Sequence, residues 1–246
     1  MGIFDIFTKE GRLKRRIEGA RKKLTNMYYQ TQDRLAAADD AAALAREGHE
    51  EGIVVLLQRY ENVAPSTTVD QDEKEYIHRL LLGLGDEAVE PVADYIKRTT
   101  ASVYWPLKFI NEHLGEDEFA EFLAELLEET KADYVRDPQK KIGLVQLAGD
   151  YGTNRIYEAL IPFVDDFDET VRFHAIDGVA RSGNDGASDV LFKHMLDDEE
   201  ESRRCISRMA EAFESNEWTV DDRQEEFREK LPQAYTLTPK GKVMKA

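Results

Sequence analysis

Five glycines, Gly48, Gly85, Gly115, Gly152 and Gly183, stand between stretches of helical periodicity, at separations of 37, 30, 37 and 31 residues. Recurrence at that interval marks stacked helical hairpins, each burying its apolar face on its neighbours without needing a domain boundary. Counting four, seven and eight positions forward from each glycine gives Gly52, Val55, Leu56; Val89, Val92, Ala93; Phe119, Phe122, Leu123; Ile156, Ala159, Leu160; and Ala187, Val190, Leu191. These offsets share one helical face. Counting backward gives a second stripe, of Ile77, Leu80, Leu81; Leu107, Phe109, Ile110; Leu144, Leu147, Ala148; and Ala175, Ile176, Val179. Each glycine thus marks a tight turn between two amphipathic helices, where a left-handed residue carries no Cβ penalty.

The expected architecture is an all-α, right-handed superhelix, an α-solenoid of about five to six hairpins. Ser102, the Asp137-Pro138 pair, Asp168 and Asp198 are the expected N-terminal caps of the helices that open successive units, since a short polar side chain can accept from first-turn amides. The two longer separations are absorbed by loops, at 61–70 and 131–138. An apolar content of 41% suffices for a repeat core, while 34% charged residues and a formal charge of -17 make the surface acidic.

Two stretches carry a resemblance. The run Asp-Glu-Thr-Val-Arg-Phe-His-Ala from Asp168 to Ala175 is similar to the start of a HEAT repeat, and the run from Leu84 to Ile96 resembles the turn and second helix of another. The likeness covers roughly residues 33–214 and is nearest in style to the HEAT repeats labelled bilin-lyase-type. It implies an armadillo-type superhelix whose second helices line a concave side. It also implies a polar Asp–Arg ladder along the stack, which Asp168 and Arg172 match.

The ends differ from the middle, as the caps of a solenoid do. Residues 1–24 hold eight Lys or Arg against three acidic residues, in a chain that is otherwise strongly acidic. Residues 1–32 therefore read as a basic amphipathic capping helix, with Ile3, Phe4, Ile6, Phe7, Leu13, Ile17 and Leu24 at near-helical spacing. A membrane surface contacted through residues 1–24 and the groove of a partner are the other readings of that pattern. The repeat body is expected over 33–231, its final unit carrying Cys205, Ile206, Met209 and Phe213 and then Trp218, Val220, Phe227 and Leu231. Residues 232–246 read as an extended tail.

Candidate chemistry is sparse, and no catalytic, cofactor-binding or metal site is assigned. Only His49 is followed by Glu among the five histidines, so the repeated His-Glu pairs of the iron-holding HEAT enzyme deoxyhypusine hydroxylase are not matched. Tyr104, Trp105 and Trp218 are the residues a tetrapyrrole lyase or carrier would use, but Trp105 lies ten positions before Gly115, as Phe173 does before Gly183, which makes it a regular interior position. Cys205 sits on an apolar stripe with no histidine nearby and reads as a buried thiol. The lone cysteine excludes an internal disulfide, and a cytoplasmic location is the expectation, with peripheral attachment to the inner membrane surface as an extension. An acidic body argues against nucleic acid. The expected role is a non-enzymatic scaffold that offers its concave face to another protein, basic or bearing a basic segment. Arg59, Glu90, Asp94, Glu121, Glu125 and Glu158, second-helix positions outside the apolar stripe, are the expected partner-binding residues.

Overall fold

A computed structural model describes residues 8–130 and 132–246, so Ile3, Phe4, Ile6 and Phe7 lie outside the described residues. The fold is all-α apart from one small hairpin of strands. The chain divides into two compact units, residues 1–116 and 117–246.

The first unit holds α1 (Lys9–Thr25), α2 (Thr31–Arg46), α3 (Glu51–Gln58), α4 (Thr67–Leu82), α5 (Val89–Arg98) and α6 (Tyr104–His113). Helix α1 packs on α2 and α3, after which α2 meets α4, α4 meets α6, and α3 meets α5. Helices in the same position of successive hairpins are therefore neighbours, the arrangement that lets each hairpin cover the next. The second unit holds α7 (Glu116–Glu129), α8 (Gln139–Ala148), α9 (Asn154–Leu160), α10 (Glu169–Arg181), α11 (Ala187–Met195), α12 (Arg203–Ser215) and α13 (Gln224–Lys230). Here α8 meets α10 and α10 meets α12, again one hairpin apart.

Every member of the two expected stripes is buried or half-buried. All five glycines fall between helices, yet only Gly48, Gly85 and Gly183 take positive φ, at 87°, 62° and 69°. Gly115 and Gly152 turn the chain without a left-handed residue. Gly52 is needed for a different reason: a Cβ there would stand 2.3 Å from the Ala41 carbonyl oxygen, because α2 and α3 cross at backbone contact.

Two caps differ from expectation. Asp168 does cap α10, accepting from the amides of Thr170 and Val171. Ser202, rather than Asp198, caps α12 by accepting from the Cys205 amide, and Asp198 pairs with Lys230 instead. Helix α6 starts at Tyr104 without a side-chain cap, so Ser102 is not used. Residues 232–246, expected as an extended tail, fold into antiparallel strands β1 (Tyr235–Leu237) and β2 (Val243–Lys245). Leu237 and Val243 are buried, and β2 lies on α12, so the segment is packed onto the second unit.

The joints between successive hairpins carry buried charge. In the first unit Glu73 of α4 accepts from Arg34 Nε at 3.0 Å and from Arg59 Nε at 2.9 Å. Arg59 also donates to Asp70 at 2.8 Å and to the Asn62 carbonyl at 2.7 Å, and Arg34 donates to the carbonyls of Met27 and Tyr29. Arg59 is fully buried and the Glu73 side chain is 3% exposed. In the second unit Lys141 of α8 reaches Asp166 at 2.6 Å, and Arg172 of α10 holds Glu200 through two bonds at 2.7 and 3.1 Å. In the second unit an early cation on one first helix thus grips a carboxylate just ahead of the next, whereas Glu73 lies within α4 itself. The side chains of Asp168 and Arg172 do not pair with each other; both lie at the N-terminal end of α10, Asp168 capping its amides and Arg172 reaching Glu200 and the carbonyls of Asp166 and Phe167.

Removing one partner of a buried pair leaves the other charge unpaired, which costs about 3–5 kcal/mol. Burial alone would raise the Glu73 carboxyl, but the bonds from Arg34 and Arg59 outweigh it and hold it below its ordinary 4.5. The unfolded chain therefore binds the proton first as pH falls, and the stabilisation is present above 4.5 and lost through the lower folded value. Glu73→Gln should lower the unfolding free energy by about 3 kcal/mol or more at about pH 7. Urea unfolding at about pH 3 should show a narrower gap between the two proteins; a gap as wide as at neutral pH would contradict the assignment.

Candidate functional site

Two concavities among the described residues of the second unit bear on function. One is a groove of about 430 Å³ between the C-terminal ends of α7 and α9, lined by Leu127, Thr130, Ala159, Pro162 and Phe163, with Glu128 and Glu158 at its edge. Its walls follow from local sequence. The run of Phe119, Leu123, Ala124 and Leu127 gives α7 an inward face, and Pro162 turns the end of α9 into a 3₁₀ segment that carries Phe163 inward. Arg155 ties the two helices across the groove, 3.3 Å from Glu121 and 3.1 Å from Glu128. Glu121, Glu125 and Glu128 share the outer face of α7 and all three are exposed, as is Glu158.

The other concavity, of about 280 Å³, is lined by Asp165, Asp166, Phe167, Arg172, His194, Asp197, Glu199 and Glu200. His194 bridges two carboxylates, with Nδ1 2.8 Å from Asp165 Oδ1 and Nε2 3.0 Å from Glu200 Oε2. Burial would raise the Glu200 carboxyl, but bonds from Arg172, the Ser202 amide and His194 hold it low. Asp165, His194 and Asp197 offer ligand atoms within 4.8 Å of one another, the grouping among the described residues that could hold a divalent cation. To do so His194 would have to release Asp165. As it stands the ring is satisfied on both nitrogens, and we read the cluster as the joint between the last two hairpins rather than a ligand set. Adjacent His-Glu pairs do not reveal it: His194 and Asp197 are three positions apart, and Asp165 lies 29 positions before His194.

The six expected partner-binding residues fare differently. Arg59 is corrected: it is fully buried between Glu73 and Asp70 and cannot serve as a rim contact. Its position continues the α3 stripe, four beyond Val55 and three beyond Leu56, so helical spacing itself carries the side chain inward, where Glu73 and Asp70 meet its charge. Glu90 and Asp94 are exposed on α5 in the first unit, Asp94 bonded to Arg98 at 2.7 Å. Glu121, Glu125 and Glu158 lie on the two helices that form the groove. Of the candidate tetrapyrrole contacts, Trp105 lies parallel to Tyr60 with centroids 6.4 Å apart and Tyr104 meets it edge-on, while Trp218 packs edge-on against Phe213.

Compared with known proteins, the chain matches no protein-family model and has no significant relative among curated proteins. No helix among the described residues is long and apolar enough to cross a membrane.

Cys205 is fully buried in α12, and burial pushes its thiol up to about 11. Since the thiolate is the reactive form, a disulfide-exchange reagent at about pH 8 should leave the native thiol untouched over a time that labels free cysteine completely. One equivalent should react after denaturation. Rapid native labelling would place the thiol in an open site.

Proposed function

We propose that this chain is a non-enzymatic binding scaffold that captures a basic, apolar-anchored segment of another protein on the second helices of its C-terminal unit. The observation that supports the reading is the α7–α9 groove, where an apolar floor of Leu127, Ala159, Pro162 and Phe163 lies beside exposed carboxylates. A floor of that kind supplies affinity by excluding water, and a charged rim supplies orientation and speed of encounter. Glu121, Glu125, Glu128 and Glu158, of which Glu121 and Glu128 pair with Arg155, favour Lys or Arg flanking the anchor. A HEAT-like character of the repeats agrees with this use, since stacked hairpins offer their second helices as a continuous surface.

Selection of displayed peptides against the full chain tests the proposal. Enriched sequences should carry Lys or Arg around a Leu, Phe or similar anchor. Glu121→Lys, Glu125→Lys and Glu158→Lys together should weaken the best peptide about tenfold or more, by analogy with like-charge juxtaposition at other interfaces. Phe163→Ser should weaken it while leaving its salt dependence in place. Enrichment of acidic or uncharged peptides, or affinity unchanged by the triple reversal, would overturn the reading.

A further inference from the structure

We infer that the outward face of α1 is a docking surface for an anionic lipid bilayer, engaged by charge rather than by insertion of the helix. Helix α1 carries Lys9, Arg12, Lys14, Arg15, Arg16, Arg21, Lys22 and Lys23 against only Glu10 and Glu18. These cations divide by direction. Arg16 turns inward to Asp40 at 2.6 Å and Glu47 at 2.8 Å, and Arg21 to Gln58 at 3.0 Å, which pins α1 onto α2 and α3. Lys9, Arg12, Lys14, Arg15, Lys22 and Lys23 are all exposed.

The apolar side of the helix is already used. Ile17, Ala20 and Leu24 are buried, and α1 rests on both α2 and α3. An amphipathic helix that lies in a membrane must sink its apolar face into the acyl boundary, and α1 cannot do so without leaving the first hairpin. What remains for a partner is the solvent side of α1, about four turns long, where exposed Lys9, Lys14, Lys22 and Lys23 outnumber exposed Glu10 and Glu18. Clustered Lys and Arg are the sequence signature of binding to acidic headgroups, and a broad anionic surface can meet the outermost of these long side chains together.

Two features favour lipid over a nucleic acid. Single strands are held by aromatic side chains interleaved with the cations, and α1 has none between Lys9 and Thr25. Duplexes are held by cations spread around a groove, whereas these lie on one helix of a chain whose net charge is -17. That polarity also sets orientation, since a negative surface attracts the α1 face and repels the acidic remainder.

The test is sedimentation of the full chain with vesicles of phosphatidylcholine alone, with vesicles containing about 30% phosphatidylserine, and with the latter plus competing duplex DNA. Binding should require phosphatidylserine and fall steeply as salt shortens the screening length. Lys14→Gln, Lys22→Gln and Lys23→Gln together should reduce partitioning about tenfold or more, with an unchanged thermal melt showing that α1 still packs. A Lys→Arg version of the same three positions should retain binding. Equal binding to neutral vesicles, no binding to either, partitioning unaffected by the Gln variant, or displacement by duplex DNA at lower phosphate concentration than lipid would each overturn the inference.

Discussion

A helical hairpin of this length has an apolar face that it cannot bury alone, so every hairpin depends on the one beside it. Shape alone would let two such faces slide, because apolar contact is non-directional. In this protein the sliding is limited by buried cation–carboxylate joints. Arg34 and Arg59 converge on Glu73, Lys141 grips Asp166, and Arg172 grips Glu200, which also takes His194. The geometry of each is demanding. Two nitrogens of Arg172 meet two oxygens of Glu200, and that fork tolerates little displacement.

The joints also explain how titratable groups can be buried here, since each meets a partner of opposite charge. Glu73 and Glu200 are desolvated, yet their carboxyls are held low because cations meet them directly. Such sites resemble catalytic centres in their buried charge and perturbed acids. Their satisfied partners place them in the framework instead, and the concavity around His194 belongs to the last of them.

Local geometry was legible in the sequence, and distant pairing was not. Gly48, Gly85 and Gly183 reveal themselves because a left-handed turn between helices favours glycine, and the stripes follow because helical spacing forces residues onto one face. The Asp168 cap was visible for the same local reason. Glu73 could not be recognised as the partner of Arg34, since 39 residues separate them and nothing in either neighbourhood records the contact. Arg59 was misplaced because its charge reads as solvent-facing, whereas it lies four positions beyond Val55 on the buried stripe and is neutralised there by Glu73 and Asp70. The closing hairpin of strands was hidden by its shortness, and the bond from the Val220 amide to the Gly241 carbonyl that ties its turn to the rest of the unit spans residues far apart in sequence. Of the candidate surface, the carboxylates on α7 and α9 were readable from periodicity; the groove beside them was not, because its floor is made by the 3₁₀ continuation of α9.

The central claim is that directional charge at the joints fixes how one hairpin sits on the next. The most direct measurement is a double-mutant cycle on the Arg172–Glu200 pair, with Arg172→Met, Glu200→Gln and the double variant compared by equilibrium unfolding. The account expects a favourable coupling of about 1–3 kcal/mol, with the double variant less destabilised than the sum of the two single changes. A coupling near zero would show that the two side chains act independently and that apolar packing alone sets the register.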